Sequence, residues 1–197
     1  MLYRVIQPVY DKFRKHLPRR TGTYRGYIAK DDRILDLTTT RPDYKEGLVS
    51  AIKEFSFEND VVIVGFGRGI TSMIALEAGA NSVTAYEAAK SMIKIGLHSF
   101  DLNDVPKNKL KVKHTIVGEP VEVFGSATDA EMVHPSELET DDVLVLDCEG
   151  AEVSILKGLK DQPKIIIVET HPNNGAPKEV VGNLLLDMGY DVKERPY

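Results

Sequence analysis

Three short runs, Val61 to Val64, Val143 to Leu146 and Ile165 to Val168, are unbroken in apolar character and rich in β-branched residues. That pattern predicts parallel strands buried on both faces. Around them apolar residues recur three and four apart, which predicts helices packed on a sheet. Leu48, Val49, Ile52 and Phe55 mark one helix, with Asp43 as its cap and Glu46 as its third residue. Met73, Ile74 and Leu76 mark a second, beginning at Ile70 and stopped by Gly79. Ser82 to Tyr86 then reads as a strand, Ala88 to His98 as a helix and Lys111 to Val117 as a further strand. The stretch Gly118 to Thr140 has no clear period. A helix is expected over Ala151 to Leu159, and a last one after Pro177 with Val180, Leu184, Leu185 and Met188 on one face. Tyr190 to Lys193 would be a final strand. Upstream, Tyr24 to Leu37 predicts a β-hairpin turning at Asp31-Asp32. The alternation implies a three-layer α/β/α sandwich around a doubly wound, mostly parallel sheet, with an N-terminal hairpin. Residues 1–42 form the arm and hairpin, residues 43–197 the main domain.

The segment VVIVGFGRGITSMIALEAGANSVTAYE, Val61 to Glu87, carries the first chemistry. Gly65, Gly67 and Gly69 let the backbone adopt conformations closed to other residues and approach a ligand closely. Glu87 ends the next strand, 22 positions after Gly65, where an acid in such a sheet accepts hydrogen bonds from ribose hydroxyls. A dinucleotide fingerprint requires a third glycine where Ile70 stands. The G-x-G-x-G loop and its acid instead resemble motif I and the ribose-binding acid of class I S-adenosylmethionine-dependent methyltransferases. Many of those enzymes carry an acid two residues before the first glycine, where this chain has Ile63.

Composition changes the picture little and charge rather more. With 42% hydrophobic and 28% charged residues the chain reads as globular. Its apolar runs are too short to span a bilayer and its start lacks the sustained apolar stretch of a signal peptide, so a cytoplasmic location is the expectation. The one cysteine, Cys148, excludes an internal disulfide and a cysteine-based zinc cluster. Up to Arg33 there are nine basic residues against three acidic ones, while the whole chain carries a net charge of −5. A basic arm of this kind fits nucleic acid or another anionic surface, yet no RNA-binding motif or aromatic stacking platform accompanies it.

The second chemical region runs from Asp141 to Pro172: an apolar strand closed by Asp147-Cys148-Glu149-Gly150-Ala151-Glu152, a helix ending Leu156-Lys157-Gly158, and a strand closed by Glu169-Thr170-His171-Pro172. Together with the glycine loop these blocks resemble the FkbM-type methyltransferases over roughly Asp43 to Gly189. The resemblance implies S-adenosyl-L-methionine as cofactor and methyl transfer to oxygen, commonly a sugar, glycan or small-molecule hydroxyl. It places Gly65, Gly67 and Gly69 at the methionine part, Glu87 and the following Ala88 (proline in much of the family) at the ribose, and Val117 and Gly118 near adenine, and it counts Asp147 among the cofactor-binding residues. Asn103 is either the counterpart of a family asparagine or a turn residue in Asn103-Asp104.

The spacing itself places Gly65, Glu87, Asp147 and Glu169 at carboxyl ends of strands, where open α/β sheets bind ligands. A hydroxyl nucleophile needs a base, and Asp147, Glu149, Glu169 and His171 are the candidates. The same oxygen-rich group fits a divalent metal that would polarise the hydroxyl. Glu152, at a helix start, is expected to act as a cap. His16, His98, His114 and His134 are scattered and receive no role. The sheet is expected to be abbreviated at its C-terminal end, and an uncovered edge there would favour a homodimer. An RNA methyltransferase and a non-catalytic nucleotide-binding protein are the alternative readings.

Overall fold

The computed structural model describes residues 10, 13–14, 16–118 and 126–195. Strands β1 (Arg19–Tyr24) and β2 (Tyr27–Arg33) form an antiparallel hairpin, and β3 (Thr40–Arg41) adds to β1 in parallel. The turn is Arg25-Gly26, both at positive φ (50° and 93°), as a tight two-residue hairpin requires. This corrects the expected turn at Asp31-Asp32. Those two residues lie inside β2 and are buried, because each meets an arginine. Their polarity mimics a turn where the structure has paired charge.

Helix α1 (Glu46–Phe55) follows, then β4 (Asp60–Val64), α2 (Ile70–Glu77), β5 (Ser82–Glu87), α3 (Lys90–Leu102) and β6 (Leu110–Val117). A short β7 (Glu131–Val133) and a 3₁₀ turn at Pro135–Glu137 occupy the aperiodic stretch, of which residues 119–125 lie outside the description. Then come β8 (Val143–Leu146), α4 (Glu152–Gly158), β9 (Ile165–Val168) and α5 (Lys178–Asp187). The main sheet has the order β7-β6-β5-β4-β8-β9, with every pair parallel.

Alternate residues of each strand feed two cores, which is why the runs are continuously apolar. Val61, Ile63, Val83, Ala85, Val143 and Val145 pack with Ile52 of α1, Met73 of α2 and Phe100 of α3. Val62, Val64, Leu144 and Leu146 pack with Ile155 of α4 and Leu185 of α5. The result is the expected three-layer sandwich. Chain progression reverses direction at β4, so a crevice opens at the carboxyl ends of β4 and β8.

Three further expectations are corrected. Helix α1 is not capped by Asp43; its N-cap is Lys45, in the left-handed region at φ 48°. Tyr190 to Lys193 is not a strand, and among the described residues β9 ends the sheet. In α5 the buried positions are Val181 and Leu185, with Leu184 and Met188 packed beside them, while Val180 is 45% exposed.

Candidate functional site

The loop from β4 to α2 forms one wall of the crevice. Gly65, Gly67 and Gly69 all have positive φ (102°, 52° and 76°). At Gly65 a Cβ atom would lie 1.9 Å from the Asp147 carbonyl oxygen, so glycine is demanded by the approach of the β8 loop. At Gly67 a Cβ would meet nothing within 4 Å, so this backbone faces open space. Phe66 anchors the loop, 1% exposed and stacked at 6.3 Å on Phe100 of α3.

Glu87 closes β5 beside this loop. One carboxylate oxygen accepts the Gly67 N–H at 2.9 Å and the other the Ala89 N–H at 2.8 Å. An ionised carboxylate offers about four acceptor sites, so capacity remains for a hydroxyl donor. Burial raises the Glu87 pKa, and the backbone N–H groups of Ala89 and Gly67 oppose that rise. The Ala88 carbonyl accepts a 3.0 Å hydrogen bond from His114 Nε2. Val117 and Gly118 end β6; Gly118 has φ 78° and packs against Ser154, Ile155 and Pro135.

The opposite wall comes from β8 and β9. The Asp147 N–H bonds to the Val64 carbonyl and the Glu169 N–H to that of Leu146, each at 2.9 Å, so both acids extend the strand register to one edge. Between their carboxylates lies the ammonium of Lys45, 2.7 and 2.6 Å from the two Asp147 oxygens and hydrogen-bonded to Glu169. Burial opposes the lysine charge, but Asp147 leads a set of neighbours that raises its pKa overall. Asp147 also moves upward: burial and the nearby Glu169 charge outweigh Lys45. Two carboxylates sharing one buried ammonium retain a proton more readily than either would alone.

His171, just beyond β9, completes the group. Its Nδ1 lies 2.7 Å from Glu152 Oε1, and its Nε2 lies 3.8 Å from Glu149 and 4.0 Å from Asp147. Glu152 is 0% exposed, and its Oε1 also accepts the Cys148 N–H at 3.1 Å. The expected cap therefore serves the loop before α4 and the imidazole together. The hydrogen bond to Glu152 raises the His171 pKa against the effect of burial, with Glu149 and Asp147 adding to it. Glu149 is more open, with a side chain 35% exposed, and sits at φ 57°. Cys148 is held protonated by burial and by the Glu152 and Asp147 charges.

Asp147, Glu169 and His171 each present a donor atom within 4.8 Å of the others, a set compatible with a metal ion. The Lys45 ammonium already bridges the two carboxylates, so a divalent ion there would have to displace it. Lys45 belongs to none of the motifs legible in the sequence. The only signal was a local rule broken, a cation at a helix N-terminus, where the macrodipole disfavours it. Arg68, inside the glycine loop, carries no sequence signal of its own; it pairs with Asp31 of β2 at 2.8 Å and lies over the Tyr24 ring at 5.0 Å, fastening the loop to the N-terminal sheet.

Among solved structures, the fold is similar to the ribosomal protein L11 methylase from Lactobacillus delbrueckii subsp. bulgaricus: TM-score 0.52, 15% identity, 76% of this chain and 72% of that one. It is also similar to an O-methyltransferase family protein from Burkholderia thailandensis: TM-score 0.52, 12% identity, 78% of this chain and 53% of that one. The chain thus spans about half of the second relative. At these identities the likeness establishes a Rossmann-like methyltransferase fold. No curated protein matches the sequence. No helix among the described residues is long and apolar enough to cross a membrane. The methyltransferase FkbM domain model matches residues 57–192, most of the chain and both chemical blocks, and the protein therefore belongs to the FkbM methyltransferase family.

Proposed function

We propose that this protein is an S-adenosyl-L-methionine-dependent O-methyltransferase acting on a sugar, glycan or small-molecule hydroxyl in the cytoplasm, with His171 as the general base. The observation that carries the reading is the imidazole held by Glu152 at 2.7 Å with its other nitrogen turned toward Asp147 and Glu149. A carboxylate that fixes one ring nitrogen as the proton-bearing one leaves the other to accept a proton.

The open backbone at Gly67 and the residual acceptor capacity of Glu87 fit a ribosyl cofactor in the crevice. Gly65, Gly67, Gly69, Glu87, Ala88, Val117, Gly118 and Asp147 are the residues that would hold it. When bound, it supplies an electrophilic methyl group on a sulfonium. The chain's own task is to align the acceptor oxygen, keep water out and take up the acceptor proton at His171 Nε2. Lys45 holds Asp147 and Glu169 in place and offsets part of the negative charge of the crevice.

Calorimetric titration with S-adenosylmethionine, S-adenosylhomocysteine and NAD tests the reading. The first two should bind, NAD should not, and Glu87→Ala should weaken binding at least tenfold. Tight NAD binding would sink it. Cofactor binding without methyl transfer to any of a panel of hydroxylated acceptors would instead point to a non-catalytic nucleotide-binding protein.

A further inference from the structure

The N-terminal hairpin is oriented against the main domain by three contacts. At its turn end Tyr27 bonds to Glu77 at the end of α2, and Ile28 exchanges two hydrogen bonds with Asn103 just past α3. Both partners lie at the edge of the sheet away from the crevice. Further along β2, Asp31 meets Arg68 of the glycine loop. The hairpin therefore climbs from the far edge to the crevice. Its open end continues two residues beyond that loop, roughly 6–7 Å at strand rise.

Arginines are concentrated at this open end. Arg19 and Arg33 face each other across the antiparallel pair, a like-charge pairing that is unfavourable by itself. Arg14 and Arg20 join them: Arg14 pairs with Asp36 at 2.7 Å, and Arg20 donates to the Asp36 backbone carbonyl. Arg33 donates to the Leu17 carbonyl at 2.9 Å, and Arg19 reaches Asp31 only at 3.4 Å, on a carboxylate it shares with Arg68. Among the described residues, Arg14, Arg19 and Arg68 thus take up the Asp36 and Asp31 carboxylates, Arg41 takes up Asp32 opposite Arg20, and Arg20 and Arg33 are left with backbone carbonyls. Among the described residues, the buried Arg20 Nε and Arg33 Nε have no hydrogen-bond partner. Burial, then the charges of Arg19 and Arg14, lower the Arg33 pKa.

We infer that these arginines form an anion subsite at the lip of the crevice, and that the methyl acceptor is a small molecule carrying a phosphate monoester. Guanidinium groups match phosphate oxygens with paired, charge-assisted hydrogen bonds, and a dianion relieves the Arg19–Arg33 opposition. A net charge of −5 over the whole chain disfavours a long polyanion, while a local basic lip still steers a small one inward. The inference rests on the methyltransferase reading for its acceptor and on the hairpin geometry for its site.

The test is calorimetric titration of the full chain with inorganic phosphate, S-adenosylmethionine and a single-stranded RNA oligomer in parallel. Phosphate should bind saturably, with affinity reduced at least tenfold in Arg33→Gln and in Arg20→Gln and less in Arg33→Lys. Unchanged S-adenosylmethionine affinity in these variants would show that the fold is intact. Absence of saturable phosphate binding, or equal affinity in the wild type and both glutamine variants, would overturn the inference. So would steeply salt-dependent RNA binding that these substitutions abolish while phosphate binding persists. Phosphate binding that follows the expected pattern without S-adenosylmethionine binding would uphold the anion subsite and refute the methyl-donor reading.

Discussion

His171 donates the proton of Nδ1 to the fully buried carboxylate of Glu152 at 2.7 Å, leaving Nε2 as the ring nitrogen that faces Asp147 and Glu149. The carboxylate fixes a tautomer and raises the imidazole pKa above its ordinary 6.5.

A base must be neutral to accept a proton, so kcat/KM should rise with pH through a midpoint above 6.5. Glu152→Gln should move that midpoint down and lower the plateau by roughly 10²-fold, within the usual range for general-base contributions. The measurement is a pH–rate profile of both proteins. An unchanged midpoint would return Glu152 to a purely structural role.

The same pair has a signature in stability. His171 has a raised pKa in the folded protein, so its contribution is complete below about pH 6.5 and is lost as pH rises through the raised value. Glu152 has a lowered pKa despite its burial, because His171 and backbone N–H groups favour its charge. Its contribution is present above about pH 4.5 and is lost as pH falls through the lowered value. The difference in thermal midpoint between the wild type and His171→Gln should therefore be largest between those limits and shrink at alkaline pH. A difference that is flat across the range would contradict the pairing.

Lys45→Met removes the ammonium between Asp147 and Glu169 while keeping most of the side-chain volume. Breaking a buried ion pair on one side typically costs about 3–5 kcal/mol. Denaturant unfolding at neutral pH should show a loss of that order, shrinking in mild acid where one carboxylate takes a proton. A loss under about 1 kcal/mol, the scale of an exposed pair, would mean that solvent already screens the cluster.

Methyl transfer by the wild type should persist after dialysis against a chelator, because the Lys45 ammonium fills the place between the two carboxylates that a divalent ion would take. Activity lost to the chelator and restored by magnesium or manganese would show that the ion displaces the lysine.

The central sheet was legible because buried parallel strands leave a plain mark: Val143 to Leu146 and Ile165 to Val168 coincide with β8 and β9. The glycine loop was legible for the same reason, since only backbone constraint explains three glycines in five residues. Asp31 and Asp32 misled because two adjacent acids describe a solvated turn and a doubly salt-bridged strand equally well. Only the distant partners Arg68 and Arg41 distinguish the two. Asp147, Glu169 and His171 could be placed at one edge from strand register. Lys45 could not, because its contacts lie 102 and 124 residues away and pass through no motif.

The segment matched by the family model begins at residue 57, after Lys45 and after the whole N-terminal sheet. The cation that bridges the crevice acids is therefore delivered from outside the stretch by which family membership is recognised. Two relatives with identical acidic blocks can rest in different protonation states if their preceding segments differ. Transplanting this core behind a foreign leader would leave Asp147 and Glu169 without their shared counter-ion, and so change the stability of the core, without touching any residue of the shared motif.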